Sequence, residues 1–261
     1  MLITSTFFFT FCSVFKYIIK VIYQFKNTKV YYGIFGKENA QAIVFLHGWG
    51  CSGDIFLPLI ENLKNFYQCV VLDFPPFGKS QEPNQVWSLE TYTELVISLI
   101  QKLNLQNIGI IAHSFGGRVA IKIASCYNDV NKILITGGAG IKPRRNFVIK
   151  FKLWYYKIFK KVLNLKNFGS QDYKLLSDKM KKTFVHIVNT KQKNECKKIQ
   201  AQTLLIYGNK DKETPVYMAK KLNKLIKNSK LILYQNYGHY AFVDNIETFF
   251  DDTINFFKNE I

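Results

Sequence analysis

Residues 108–117 read Ile108-Gly109-Ile110-Ile111-Ala112-His113-Ser114-Phe115-Gly116-Gly117, and the change of character halfway along decides the fold. The first half is a short apolar run of the kind that forms a strand buried on both faces. The second half opens a stretch rich in Ala and Ile that predicts a helix over 115–127. A serine stands at the junction. A strand that turns this sharply into a helix lifts the serine hydroxyl above the sheet edge and needs small residues two positions to either side. Ala112 and Gly116 meet that need, and the free N–H groups of the new helix point toward the hydroxyl's surroundings. A tight structural turn is the plainer reading of the same residues, because a Gly-x-Ser-x-Gly pattern is only moderately specific and its first glycine is alanine here.

Outward from this junction the chain alternates between short β-rich runs and amphipathic stretches. Residues 18–25 and 29–35 read as two strands around Lys26-Asn27-Thr28, and 42–46, 69–73, 108–112, 133–136, 203–207 and 231–234 as buried strands. Helices are expected at about 54–66, 88–104, 115–127, 215–228 and 241–258, the last with Ile246, Phe249, Phe250, Ile254 and Phe257 on one face. This alternation predicts an α/β fold with a mainly parallel twisted sheet flanked by helices. Residues 142–200 break it, because no convincing strand occurs there, and they read as an inserted helical cap. The expected organisation is an apolar tail over 1–16, a body formed by 17–141 and 201–261, and the cap.

Charge is distributed unevenly over these parts. The 261 residues carry 36 Lys and Arg against 18 Asp and Glu, a formal +18. Seventeen of the basic residues but only Asp172, Asp178 and Glu195 of the acidic ones lie in 142–200. Within it Val148, Phe151, Tyr155, Ile158, Val162 and Leu165 recur at helical spacing, with Lys150, Lys157, Lys160 and Lys161 mostly off the stripe, so a basic amphipathic helix is expected. Such a field attracts anionic lipid, nucleic acid, an acidic carrier protein or anionic substrates. No nucleic-acid recognition motif accompanies it. Lysines on solvated helix faces are the bland account.

The 48% apolar composition excludes disorder, coiled coil and collagen. Five scattered cysteines, Cys12, Cys51, Cys69, Cys126 and Cys196, form no CxxC pair, so neither a disulfide framework nor a zinc site is expected, and a reducing, cytoplasmic setting follows. Residues 1–15 are uncharged and rich in phenylalanine, yet shorter than the roughly 20 apolar residues of a membrane span. They lack the basic start and small-residue cleavage site of a secretory signal. An interfacial membrane anchor, a mis-assigned start and a strand packed on the body all fit this tail.

Two further loops bear on Ser114. Gly208-Asn209-Lys210-Asp211 follows one apolar strand and Tyr237-Gly238-His239 follows the last, which places a carboxylate and an imidazole at carboxyl ends of the sheet. A serine hydroxyl becomes a useful nucleophile only when a base in hydrogen-bond reach takes its proton, and the imidazole serves only in the right tautomer, which a carboxylate fixes. The chain order Ser114, Asp211, His239 suits a triad on this kind of sheet. Acyl transfer also develops negative charge on a carbonyl oxygen, which preorganised backbone N–H groups stabilise. The candidates are the amides of Trp49, in His47-Gly48-Trp49-Gly50, and of Phe115.

With these residues in view, the chain resembles the α/β-hydrolase superfamily over nearly everything from Tyr17 to Ile261. The loop Asp73-Phe74-Pro75-Pro76-Phe77-Gly78-Lys79-Ser80 is similar to the family's Asp-x-Pro-Gly-x-Gly-x-Ser segment, with Pro76 in place of a glycine. Within the superfamily, His-Gly-Trp-Gly plus a serine elbow resembles carboxylesterases, such as the pimeloyl-carrier-protein methyl esterases, and carbon–carbon bond hydrolases. Haloalkane dehalogenases and epoxide hydrolases carry aspartate at the elbow, so Ser114 argues against both. The resemblance implies a carboxylesterase-like enzyme that acts on an ester or thioester and requires no metal or organic cofactor. Carbon–carbon hydrolysis by the same triad is the alternative.

Lone candidates have plainer readings. His47 reads as scaffold, His113 as a packed or pocket-lining ring, and His186 as a surface or lid residue without a second ligand at metal spacing. Asp73 and Asp244 rival Asp211 as the carboxylate. Asp73 sits in a loop where the family keeps a structural aspartate, and Asp244 follows His239 too closely to reach around it. The aromatics of the cap, among them Phe151, Trp154 and Tyr155, suggest an apolar acyl site with a cationic rim, suited to a small anionic or carrier-bound acyl substrate. Two other classes compete. One is a peripheral protein docking on acidic lipid through the tail and the basic helix; the other is a pseudo-enzyme that keeps the pocket to bind a ligand.

Overall fold

A computed structural model describes residues 19–38, 40–141 and 176–258 of the chain. Eight strands form one sheet: β1 (Ile19–Phe25), β2 (Thr28–Phe35), β3 (Ala42–Leu46), β4 (Gln68–Leu72), β5 (Ile108–His113), β6 (Val130–Thr136), β7 (Gln202–Gly208) and β8 (Ser229–Tyr234). Their order is β1-β2-β4-β3-β5-β6-β7-β8. β1 and β2 pair antiparallel, as do β2 and β4, and every other neighbouring pair is parallel. The β1–β2 hairpin turns on Lys26 and Asn27, both at positive φ (43° and 59°), a two-residue turn whose twist matches that of the strands.

Helices cover both faces because the central strands are apolar on both. Along β3, Ala42, Val44 and Leu46 join one buried cluster while Ile43 and Phe45 join the other. The first cluster is closed by α2 (Leu89–Lys102), α3 (Phe115–Ala124) and the later helix α6 (Val216–Leu225). The second is closed by α1 (Leu57–Leu63), α7 (Ala241–Asp244) and α8 (Ile246–Lys258). Gly109 belongs to this second contact, where an added Cβ would strike the ring of Phe257. The single helix expected over 241–258 is two. The break falls at Asn245 (φ −134°), whose carbonyl accepts from the Phe249 amide at 3.0 Å.

The tail over 1–16 lies outside the described residues, as do residues 142–175 of the expected cap, including Phe151, Trp154 and Tyr155. The part described from residue 176 onward holds α4 (Asp178–Asn189) and α5 (Lys193–Lys198) and no strand. It is tied to the body at both ends. Thr183 Oγ1 accepts from the Trp87 amide at 3.1 Å, and Ser177 donates to Glu82 at 2.6 Å. Farther along, the guanidinium of Arg118 on α3 donates to the Thr190 carbonyl at 3.0 Å, and Gln192 donates to the Arg118 carbonyl at 2.7 Å. Among the described residues no helix is long and apolar enough to cross a membrane.

Candidate active site

The turn between β5 and α3 is strained at its serine. Ser114 adopts φ 49° and ψ −109° as the residue preceding α3. A non-glycine residue held there costs about 1–3 kcal/mol and persists only where the surroundings fix it. They do so through the backbone. The Ser114 amide donates to the Thr136 carbonyl at 3.2 Å, and the Ser114 carbonyl accepts from Gly117 at 3.0 Å and from Ala139 at 3.1 Å. Gly116 is required by close approach, because a Cβ there would collide with the carbonyl oxygen of Leu46 at the end of β3. Gly48 brings the next loop equally near: its Cβ would stand 3.0 Å from the His113 ring and 3.3 Å from Ser114 Cβ.

That loop is braced by His47. Its Nδ1–H donates to the Gly48 carbonyl and its Nε2 accepts from the Phe74 amide, both at 2.7 Å. Burial lowers its pKa to about 4, which fits a neutral ring spanning two backbone groups. Asp73 braces the neighbouring loop, accepting from Gly53 at 2.7 Å and Lys79 at 2.8 Å. Burial raises its pKa, while those amides pull the other way. Trp49 rests against the rings of Phe77 (4.9 Å), Phe115 (5.5 Å) and Phe184 of α4 (5.2 Å), so an aromatic wall stands beside the elbow.

The other half of the site lies at the ends of β7 and β8. Asp211 Oδ2 accepts from His239 Nδ1 at 2.8 Å. The carboxylate is itself held on four counts, including that bond. Oδ1 takes the amides of Glu213 and Thr214 at 2.8 Å each, and Oδ2 also takes the Thr214 hydroxyl at 2.7 Å. Burial alone raises the Asp211 pKa, but the bond and charge of His239, with those from Thr214, outweigh it and leave the pKa below the ordinary carboxylate value. The rivals are engaged elsewhere: Asp73 holds the loop amides, and Asp244 ends α7.

The 136–139 turn after β6 joins the two halves. Thr136 and Ala139 bond Ser114, while a Cβ on Gly137 (φ 52°) would lie 3.0 Å from His239 Nδ1. Tyr207 of β7 fixes this turn by donating to the Gly138 carbonyl at 2.7 Å. His113 packs its ring 4.7 Å from that of His239 and donates from Nδ1 to the Thr136 carbonyl at 3.1 Å. Burial first, and the neighbouring His239 second, lower its pKa to about 3, so it stays a neutral packing ring. His186 is exposed in the last turn of α4.

Two residues absent from the sequence reading belong here. Thr214 completes the cage around Asp211. Glu213 places Oε2 3.2 Å from His239 Nε2, the nitrogen that faces away from Asp211. The available signal was local, because an aspartate followed by two amides at i+2 and i+3 is a turn that folds back on its own carboxylate. The Ser114 hydroxyl makes no hydrogen bond among the described residues. In unliganded sites such bonds are commonly long and tighten once substrate is bound. Among the described residues no cluster of three His, Cys, Asp or Glu side chains could hold a metal.

Comparison with known proteins agrees with this architecture. A family model described as alpha/beta hydrolase fold matches residues 41–167, and one described as TAP-like protein matches 178–258. The uncharacterized hydrolase YugF of Bacillus subtilis is 24% identical over 89% of this chain and 95% of its own length. The pimeloyl-[acyl-carrier protein] methyl ester esterase of Wigglesworthia glossinidia brevipalpis is 27% identical over 73% of this chain and 84% of its own. Among solved structures, the esterase EaEST from Exiguobacterium antarcticum superposes with a TM-score of 0.76 at 21% identity, covering 92% of this chain and all of that one. A parallel sheet wound on both faces, a strained serine between strand and helix, and two matching family models together place the chain in the α/β-hydrolase superfamily.

Proposed function

We propose that the protein is a serine hydrolase that cleaves a carboxylic ester or thioester through a covalent acyl-enzyme. Ser114 Oγ attacks the carbonyl carbon while His239 Nε2 takes its proton. The tetrahedral intermediate collapses as the same nitrogen returns that proton to the departing alcohol or thiol. Water, deprotonated by His239, then attacks the acyl-serine, releases the carboxylic acid and restores the serine hydroxyl. Asp211 holds the imidazole in the Nδ1–H tautomer. The amides of Trp49 and Phe115, neither of which donates to another backbone or side-chain group among the described residues, stabilise the oxyanion.

The observation that carries this reading is the strained Ser114 sharing the 136–139 turn with a carboxylate-bound imidazole. Such strain persists where geometry serves chemistry. Labelling by a fluorophosphonate tests it: wild-type protein is expected to label and Ser114→Ala not to, and persistent labelling of the variant rejects the assignment. A panel of activated esters of increasing chain length then defines the acyl group. Turnover of carbon–carbon substrates alone would move that chemistry to first place.

Two observations bear on the substrate class. The relatives include an esterase named for an acyl-carrier-protein substrate, and the basic excess of 142–200 suits an anionic or carrier-bound acyl group. Neutral and carboxylate-bearing esters compared over a salt series check this, since equal rates at low salt would remove the charge preference. Docking on acidic lipid is tested separately by liposome flotation with and without residues 1–15.

A further inference from the structure

We infer that the buried guanidinium of Arg118 binds a carboxylate at the far end of the acyl chain, an inference that rests on the esterase reading of Ser114 and narrows the class of its substrate. Arg118 lies on α3 one turn after Ser114 and is 6% exposed. Its Nη1 donates to the Thr190 carbonyl at 3.0 Å, and it meets no carboxylate among the described residues. Burial lowers its pKa only to about 10, so the charge is present at neutral pH. A guanidinium has five N–H donors and a positive charge, and one neutral carbonyl answers a single donor and none of the charge. Burying a cation in this way is costly unless an anion joins it. Lys122, one turn farther along α3 and partly exposed, is met by two acids, Glu195 at 3.3 Å and Glu90 at 3.6 Å. The more exposed cation is paired twice and the buried one not at all, which leaves Arg118 for an anion from outside the chain.

The surroundings turn Arg118 toward the acyl side of the site. Side chains on a helix lean toward its N-terminus, so this one reaches back toward the elbow. The carbonyl it bonds belongs to Thr190, the residue that ends α4, and Phe184 of the same helix lies on Trp49, whose amide is a proposed oxyanion donor. The six residues from Phe184 to Thr190 correspond to a rise of about 9 Å along a helix. α4 therefore runs from the oxyanion loop to the guanidinium, and an acyl chain lying along it, with its ester carbonyl at Trp49, brings a terminal carboxylate to Arg118. The buried Gln192 donates to the Arg118 carbonyl at 2.7 Å and fixes the backbone from which the side chain extends. A guanidinium fork matches a carboxylate through two parallel N–H···O bonds, so this group suits a carboxylate better than a lone ammonium would.

The test reads p-nitrophenol release from the mono-p-nitrophenyl esters of adipic, suberic and sebacic acid against the matching p-nitrophenyl methyl diesters, which have the same chain and no charge. Wild-type protein is expected to favour at least one monoester over its diester in kcat/KM, chiefly through KM. That preference should persist at about 0.5 M salt, because a buried pair is screened far less than surface charge. Arg118→Met should lower the monoester-to-diester ratio roughly ten- to hundredfold, the worth of a charged hydrogen bond. Arg118→Lys, which keeps the charge and loses the fork, should lower it by less. Equal rates for the two ester classes in wild-type protein, a preference that vanishes at high salt, or an unchanged ratio in Arg118→Met overturns the inference; where Arg118→Met does not fold, an unchanged ratio in Arg118→Lys does so. An arginine that only ties α4 to α3 would slow both ester classes together and leave the ratio where it was. When Ser114→Ala is inert toward both classes, such a failure belongs to Arg118 alone; a Ser114→Ala protein that still turns them over removes the esterase reading itself.

Discussion

The two halves of the site are built by different means. Around Ser114 the work is done by backbone: a positive φ, glycines at 48 and 116 where a Cβ would strike a neighbour, and amides paired with carbonyls. Around His239 it is done by side chains, with Asp211, Thr214 and Glu213 arranged about one ring. A backbone-built half tolerates no added atoms, and pH reaches it only through the buried His47 and His113 that brace it. A side-chain-built half keeps its shape when an atom is exchanged yet loses its chemistry when a proton or a charge changes.

The largest expected effect strikes the second half. Asp211→Asn is nearly isosteric but removes the charge that holds the Nδ1–H tautomer, so kcat should fall by about 10³–10⁴-fold with little change in thermal stability. A small loss of kcat would show that the tautomer is set elsewhere. Gly116→Ala reverses the pattern. One methyl group would collide with the Leu46 carbonyl, and a cost of about 3 kcal/mol or more in denaturant unfolding is expected, with activity lost through the fold. A variant of unchanged stability would mean that β3 and α3 can separate.

Acid should unsettle the packed histidines next. His47 and His113 have folded pKa values lowered to about 4 and about 3, below the ordinary value of 6.5. The unfolded chain therefore binds protons first, and the stability these rings contribute is complete above about pH 6.5 and lost as pH falls toward 4 and then 3. Together they account for a loss on the order of a few kcal/mol over that window, visible as a falling Tm. A flat Tm between pH 6.5 and 4 would contradict it. Smallest is Thr214→Val, which removes one of four bonds to Asp211 and should lower kcat about tenfold with stability changed by about 1 kcal/mol.

What the sequence discloses follows the same division. Close packing demands glycine or alanine and marks the chain visibly, so Ala112, Ser114 and Gly116 announce the elbow before any coordinates. Strands apolar on both faces are equally legible, and β3, β5 and β7 fall where the runs of Val, Ile and Leu place them. Hydrogen-bonded side chains leave no such trace. Thr214 and Glu213 look like ordinary loop residues, and only the turn at Asp211 sets them beside His239. The break at Asn245 is hidden for a related reason, since the apolar stripe of α8 continues in phase across it.

The 136–139 turn serves both halves: Ser114 is tied to it on one flank and His239 rests against the other, with Tyr207 holding it from β7. Ser114 and His239, the proposed nucleophile and base, thus take their positions from a common benchmark at the rim of β6, although they lie 125 positions apart in the chain. When the sheet breathes or twists, the benchmark carries both residues along together, and the gap between them is spared the error that two independent supports would add.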